Sequence, residues 1–432
     1  MKRIILKAGE EKRLLAGHPW VYDNEVDRIL GNSGSASLQA GEIADVETPE
    51  KTYIGRAFVN PASKIIARLY SPSKEGVDKG FFKGRIRKAL ARRFMYDLTR
   101  ESARIVFAEA DFLPGLMVDR FVGWDLAEAE RAVSNRPLAF RDVQNALGPP
   151  RAWLAVQFLI AGMDCRRDDI VLALEEVFAK DFGPLAGIVE KSGAAVRELE
   201  GLPKREGLLK GTLPSEGILL FENDFPFCAR LEQGQKTGHY LDQKDNRRRL
   251  SRYVPVGGRV LDACAYTGGF GIHALRYGAG EAVAVDASRP ALDAAQKNAD
   301  LNGLDRRITF IEANIFDHLR SYSRHDGFDM IILDPPGFAK SRSMLEEALR
   351  GYKEINLQAM RLLRPGGTLV TCSCSQVLGE NRFKRMLTEA ASDADCRLIQ
   401  LDFRGQSGDH PILLGYDESN YLKCAFYRQV GR

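Results

Sequence analysis

The stretch Val260-Leu261-Asp262-Ala263-Cys264-Ala265-Tyr266-Thr267-Gly268-Gly269-Phe270, followed by Ala282-Val283-Ala284-Val285-Asp286, decides the fold of this chain. An apolar run enters a glycine-rich turn, a helix is predicted to follow, and a second apolar run ends in an acid. This is the first half of a nucleotide-type strand–helix–strand unit, with the acid near the roughly 20-residue offset of a ribose-binding carboxylate. No G-x-G precedes the helix, so the full dinucleotide fingerprint is absent. The turn suits a ligand that carries an adenosine but no pyrophosphate, and S-adenosylmethionine (SAM) is the obvious one. Glycines there let the backbone approach a ligand; a tight strand-to-helix turn with no ligand is the bland reading.

Downstream, short apolar runs around Val260, Ala282, Thr309, Met330, Leu369 and Leu398 alternate with helical patterns to the end of the chain. That alternation predicts an α/β fold, a parallel sheet with helices on both faces. Ligands of such sheets sit beyond the carboxyl ends of the strands. Asp286 ends the second strand and could accept both ribose hydroxyl protons, or could cap the next helix in competition with Ser288. Asn314 ends the third and is either an adenine contact or a turn residue. In Ile331-Ile332-Leu333-Asp334-Pro335-Pro336-Gly337-Phe338 a buried strand delivers an acid, and two prolines end the strand and hold the residues before them extended. Asp334 is thereby presented at a fixed angle. In Thr371-Cys372-Ser373-Cys374-Ser375, alternation puts both cysteines on one face. Cys372 is the deeper, a small core residue, and Cys374 lies where a pocket would open. A strand-end thiol is often a plain hydrophobe; beside a SAM pocket it is a candidate nucleophile, provided basic groups or a helix N-terminus favour the thiolate.

Upstream, residues 1–72 read as a β-rich barrel-like unit of short strands separated by Gly, Pro, Ser and Asn. Residues 73–205 read as a small α+β unit with a helix from Phe81 to about Thr99. Ile86, Leu90 and Phe94 form its apolar stripe, and its basic face, including Lys83 and Arg87, is either solvated or an RNA-backbone contact. A polar segment, 125–152, interrupts a hairpin and reads as a surface insertion. Residues 206–432 form the third unit. It opens with the hairpin Ile218–Phe227, turning at Asn223-Asp224, and continues with the basic run Lys244 to Arg252.

Net charge is only +4, so local basic patches matter more than the whole-molecule field. Seven cysteines without a C-x-x-C pair argue against a disulfide framework or zinc site, and six scattered histidines offer no metal spacing. No metal is expected. The apolar run Ile4-Ile5-Leu6 is too short for a signal-peptide core, and nothing approaches the roughly 20 apolar residues of a membrane span. A cytoplasmic chain is expected, with no membrane partner.

These motifs together resemble the class I SAM-dependent large-subunit rRNA methyltransferases with an N-terminal PUA domain, the RlmI-like enzymes that make 5-methylcytosine. His18-Pro19-Trp20-Val21 is similar to the PUA domain. Asp111-Phe112-Leu113-Pro114-Gly115 with Val118-Asp119-Arg120-Phe121 resembles the central domain. Lys236-Thr237-Gly238-His239-Tyr240-Leu241-Asp242-Gln243-Lys244-Asp245-Asn246-Arg247 resembles the signature before the catalytic domain. Ala265–Phe270, Asp334-Pro335-Pro336, Gly351-Tyr352-Lys353-Glu354-Ile355-Asn356 and Ser373-Cys374-Ser375 complete the match. The resemblance implies a Rossmann-like catalytic domain behind a PUA barrel and a central α+β domain. It implies SAM contacts from Asp262, Tyr266, Thr267, Gly268, Gly269, Phe270, Asp286, Ala287, Asn314, Asp334, Tyr240 and Gln243. Cys374 and Asp334 would be catalytic, and Lys244, Arg247, Arg248 and Arg249, with Lys83 and Arg87, would contact RNA. The partner would be rRNA, as 23S rRNA or a pre-50S particle, and a homodimer is compatible with the chain. The sequence departs from the pattern at the 125–152 insertion and at Asn314, where an acid is more usual. Like the RlmI-like pattern, it lacks the second cysteine that the larger 5-methylcytosine families carry after the proline, which leaves the base that removes the carbon-5 proton unassigned. Two rivals stay open: methylation of a guanine ring or exocyclic nitrogen without a covalent intermediate, and a non-catalytic RNA-binding assembly factor.

Overall fold

The computed structural model describes residues 1–32, 34–232, 238–323, 326–339 and 341–431. Lys236 and Thr237 of the signature before the catalytic domain lie outside them.

The C-terminal sheet is built as the alternation predicts, up to its last strand. β1 (Arg259–Ala263), β2 (Glu281–Asp286), β3 (Ile308–Glu312), β4 (Phe328–Leu333) and β5 (Leu363–Ser373) are parallel, in the order β3-β2-β1-β4-β5. Successive residues go to opposite faces. Val260, Ala282, Ala284, Met330 and Ile332 pack into one buried cluster, and Leu261, Ala263, Val283, Val285, Ile331 and Leu333 into another. Near-continuous apolar strands are what a sheet covered on both faces requires. The end of the chain departs from expectation. β6 (Arg397–Arg404) is followed not by a helix but by an irregular segment and β7 (Lys423–Gly431), which inserts antiparallel between β5 and β6.

Helix α1 (Gly269–Arg276) starts at Gly268, whose φ of +78° suits glycine; a Cβ there would meet Ala295 and Ile272 at 3.2 Å. Helix α2 (Arg289–Leu301) is capped by Ser288, whose hydroxyl accepts from the Ala291 N–H, with Pro290 in its first turn. Asp286 is therefore not the cap.

The N-terminal unit is a seven-stranded sheet, most of it antiparallel, around Ile4, Leu6, Val21, Val46 and Val59. The central sheet contains the hairpin 218–229, whose turn residues Asn223 and Asp224 have φ of 52° and 67°, as a tight hairpin turn demands. That hairpin pairs with Leu116–Asp125, so the central sheet runs past residue 205. The expected helix over 81–99 spans only Lys79–Ala91. Arg93 turns inward to form a two-bonded ion pair with the fully buried Asp111, and Phe94 is left 84% exposed rather than on the apolar stripe. The 125–152 segment does interrupt a hairpin, since Leu116–Asp125 pairs with Arg151–Phe158. It is not merely superficial, however. Leu126, Ala129, Val133, Leu138 and Val143 bury against Trp124, Phe221 and Leu301 of α2, and Lys297 pairs with Glu130. The segment braces α2 against the central sheet. Among the described residues no helix is long and apolar enough to cross a membrane, and no cluster of three metal-ligating side chains occurs.

The three units meet at the irregular segment between β6 and β7. Tyr416 packs edge-on against Trp20 of the N-terminal unit, with ring centres 5.0 Å apart. Asp409, wholly buried, accepts from the Arg104 N–H (2.9 Å), pairs with Lys244 Nζ (3.3 Å) and offers its backbone carbonyl to Arg93 (2.9 Å). Removing one member of a buried charge pair leaves the other uncompensated, at a cost of about 3–5 kcal/mol. Asp409→Ala is thus expected to lower the unfolding free energy by about that much in chemical denaturation at pH 7. An unchanged midpoint would show that Asp409 does not hold the units together.

Candidate active site

A cavity of about 570 Å³ opens beyond the carboxyl ends of β1, β2, β4 and β5. Tyr266, Thr267, Gly269, Phe270, Asp286, Ala287, Asn314, Asp334 and Cys374 all line it, as do Tyr240 and Gln243 from the preceding segment. Two residues expected among the SAM contacts do not line it. Gly268 serves the turn. Asp262 is buried beneath it, accepting the Gly271 N–H at 2.7 Å, so it supports the loop rather than facing a ligand.

The loop after β1 is a strained cradle. Cys264 and Tyr266, both non-glycine, hold φ of 62° and 49°. Asp286 stabilises it from β2: one carboxylate oxygen accepts the Tyr266 N–H and the other the Ser288 N–H, each at 2.8 Å. The carboxylate is thus fixed at the cavity edge. Asn314 caps the next helix through the Phe316 N–H (2.9 Å) while lining the cavity, so its two readings coexist. The residues fit SAM: an acid fixed by backbone donors for a ribose, small and apolar groups at Ala287, Ile315 and Phe316 for a purine, and a volume within the range of ligand pockets.

On the other side stand Asp334 and Cys374, the expected catalytic pair. Asp334 Oδ1 accepts from Gln243 Nε2 at 2.9 Å, and Gln243 is itself oriented by Asn246 at 2.7 Å. The loop after Asp334 is braced from behind. The Ser375 hydroxyl accepts the Ala339 N–H (3.2 Å) and lies 3.0 Å from the Tyr352 hydroxyl, so the Gly351–Asn356 motif acts by supporting this loop. A Cβ on Gly337 would stand 3.5 Å from Cys374 Sγ, which places the thiol against the Asp334 loop. Cys372 is fully buried, as expected of a core residue, whereas Cys374 is partly exposed into the cavity.

Sequence reasoning missed Lys423, on the unexpected strand β7. Its side chain is 4% exposed, and its ammonium donates to the backbone carbonyls of Ser375 (2.7 Å) and Tyr421 (2.8 Å). Among the described residues no carboxylate pairs with it. Burial pulls its pKa down to about 8, with the neighbouring Cys374 acting in the opposite sense. The only available signal was a lysine at the start of an apolar run after a long irregular stretch.

The basic residues expected to face RNA divide. Lys244 and Arg247 are each 4% exposed and cannot reach a phosphate. Lys244 is held by Asp409 and the Ser102 carbonyl. Arg247 makes two bonds to the buried Glu222 (2.5 and 2.7 Å) and one to the Tyr240 carbonyl (2.5 Å), which pins Tyr240 over the cavity. Arg249 pairs with Asp402, Lys83 with Glu176 and Arg87 with Asp181. Arg248 is exposed.

Burial pushes the Asp262 carboxyl up to about 7, with Asp334 and Asp286 adding to the effect. A carboxyl whose folded pKa exceeds its unfolded one binds more protons when folded, so its contribution to stability falls as pH rises from about 4 to 7. Asp262→Asn removes that titration. Its denaturation midpoint should fall less than that of the parent chain between pH 5 and pH 7.5, and parallel midpoints would contradict the assignment.

Comparison with known proteins gives the family. The sequence model of S-adenosylmethionine-dependent methyltransferases matches residues 207–427, and that of the PUA-like domain matches residues 4–72. Among solved structures, SMU.776, assigned as a methyltransferase and complexed with SAH, superposes with a TM-score of 0.79 over 99% of this chain and 100% of its own, at 20% identity. A chain from Streptococcus mutans assigned as SAM-dependent gives 0.78, with the same coverage and identity. These share the fold. Closer in sequence is the ribosomal RNA large subunit methyltransferase I of Vibrio vulnificus, 36% identical over 427 residues and 97% of each chain. Those of Aeromonas hydrophila (38% over 426 residues, 97% of each) and Shewanella amazonensis (39% over 429 residues, 98% of each) are similar in the same way. The chain belongs to the S-adenosylmethionine-dependent methyltransferases, in the family of the ribosomal RNA large subunit methyltransferase I proteins.

Proposed function

We propose that this protein methylates carbon-5 of a cytosine in large-subunit rRNA through a covalent adduct with Cys374. The observation that carries the reading is that Cys374 and Asp334, from the tips of adjacent strands, line the same cavity as the glycine turn and Asp286. The large-subunit rRNA named for the relatives supplies the substrate class.

A pyrimidine carbon-5 is a poor nucleophile until the ring is made electron-rich. The Cys374 thiolate would add to carbon-6, forming a C–S bond and placing electron density on carbon-5. Bound SAM supplies a sulfonium methyl that such a carbon can take. Loss of the carbon-5 proton to a base would then re-form the ring double bond and expel the thiolate. Splitting the substitution this way replaces one hard step with easier ones. Asp334, oriented by Gln243, would hold the polar edge of the base and share a proton with its ring nitrogen. Lys423 would favour the thiolate: its buried ammonium has no carboxylate partner among the described residues, and an anion at Cys374 supplies the missing charge. The target nucleotide must leave its stack to reach the cavity. Arg248, which is exposed, remains suited to a phosphate, a contact that positions without reading sequence.

Nitrogen methylation has one observation in its favour: Phe338 lines the cavity after the Asp334 loop, where it could stack a base. Such an enzyme needs no thiol. Cys374→Ala therefore separates the readings. Methyl transfer to rRNA should fall to background while SAM binding by calorimetry survives; retained transfer would favour nitrogen chemistry. Mass-spectrometric mapping of rRNA from cells with and without the protein would name the product.

Lys423→Met gives a second test. The ammonium favours the thiolate while it is charged, below about pH 8. Its removal should move the rising limb of the pH profile of kcat/KM up by about one unit, equivalent to about 1.4 kcal/mol. An unmoved limb would remove Lys423 from the chemistry.

A further inference from the structure

The hydrogen bond from Gln243 to Asp334 is the last step of a chain that starts at the far edge of the C-terminal sheet. Arg404, the last residue of the edge strand β6, donates from Nε to Asn246 Oδ1 at 3.2 Å. Asn246 Nδ2 donates to the Gly405 carbonyl at 3.1 Å and to Gln243 Oε1 at 2.7 Å. Gln243 Nε2 donates to Asp334 Oδ1 at 2.9 Å. We propose that Arg404 and Asn246 are positioning residues for methyl transfer: they fix the direction of the Gln243 amide, so that an N–H and not the carbonyl oxygen meets Asp334. The proposal rests on the reading of Asp334 as the group that holds the target base.

A carboxamide turned end for end keeps its shape, so its neighbours set its direction. Here those neighbours have one role each. A guanidinium donates and never accepts, so the Asn246 atom facing Arg404 is the oxygen. A backbone carbonyl accepts and never donates, so the atom facing Gly405 is the nitrogen. Either contact alone orients Asn246, and the two agree. Its N–H then meets Gln243, whose facing atom must be oxygen, and the Gln243 nitrogen is left for Asp334. Arg404 is not diverted from this task, because Asp402, the carboxylate two residues back on β6, is taken by Arg249.

Burial makes the order firm. Gln243 and Asn246 are 3% and 1% exposed. Turning either amide would set like poles together on both sides of it, and unsatisfied buried polar groups are costly. The other titratable groups acting on Asp334 are Asp262 and Cys264 from β1 and its loop, Tyr240 and Arg247 from the preceding segment, and Cys372 from β5, with Cys374 beside them. Arg247 is the one cation among these, and Glu222 takes it at 2.5 and 2.7 Å.

The polarity matters to the chemistry. A carboxylate that accepts on one oxygen can take an N–H from the exocyclic amine of cytosine and share a proton with the ring nitrogen. Met by the amide oxygen instead, Asp334 would have to carry a proton and turn it toward Gln243.

The test uses the full-length enzyme, SAM and large-subunit rRNA from cells lacking the protein, with SAM binding in each variant reporting an intact fold. Gln243→Met keeps the side-chain length and removes the donor. It should lower kcat by about 10- to 100-fold, the range for a hydrogen bond to a charged group, with SAM affinity unchanged. Gln243→Glu keeps the bond from Asn246 but sets a second carboxylate against Asp334. Two carboxylates in contact share a proton, and that proton restores a donor, so the kcat of Gln243→Glu relative to the parent should rise as pH falls from about 8.5 to 6. The need for the Cys374 thiolate is common to both and cancels. Arg404→Met should lower kcat by about three- to tenfold, and Arg404→Lys, which still donates, should recover most of it. A ratio for Gln243→Glu that does not move with pH, or parental kcat in Arg404→Met, would overturn the relay. SAM affinity falling in step with kcat would assign Gln243 to the cofactor and overturn it as well. Parental turnover by Asp334→Asn would instead overturn the reading of Asp334, whatever the relay variants do.

Discussion

Asp409 is the constraint on which the active cleft depends. Its carboxylate is fully buried, and Lys244, His410 and the Arg104 N–H hold it well below the ordinary carboxylate range. Through Arg104 and Arg93 it fixes the central unit. Through Lys244 it fixes the segment that carries Tyr240, Asp242 and Gln243. Ser407, two residues earlier, bonds the Asp242 carbonyl from both its N–H and its hydroxyl, at 2.8 and 2.9 Å. A buried carboxylate so surrounded is costly to create and costlier to disrupt, so its neighbours share one arrangement. The parallel strands are joined by their own ladders, whereas the segment carrying Tyr240 and Gln243 is held by these contacts.

With that segment in place, the strand tips face one cavity. A parallel sheet ends its strands at one level, which brings the glycine turn, Asp286, Asp334 and Cys374 to one opening. Arg247 and Glu222 pin Tyr240 across it. The thiol then has the SAM loop on one side and the central unit on the other. Lys423 enters from beneath, on a strand antiparallel to the one that ends before Cys374.

The strand tips were legible because their signal is local. An apolar run, a glycine turn or a proline pair, and an acid or thiol at the end require no knowledge of distant residues. What was misread depended on distant partners. Lys244 and Arg247 look like a solvated basic run until Asp409 and Glu222 are known to face them. Helix 79–91 stops early because Arg93 finds Asp111, a contact no helical periodicity encodes. The 125–152 segment is polar by composition, yet five of its residues bury against α2 and the hairpin. Lys423 was missed because the irregular stretch before it breaks the alternation that found the other strands. Asp262 and Gly268 stood in the right motif but support the loop instead of lining it.

The most direct test of the central claim is a trap for the carbon–sulfur bond. RNA carrying 5-fluorocytidine has no proton at carbon-5, so after methylation the thiolate cannot be expelled. Incubation with SAM should yield a protein–RNA complex that survives denaturation, with peptide mass spectrometry placing the cross-link on Cys374. A methylating enzyme that forms no such complex, or forms it through another residue, would contradict the account.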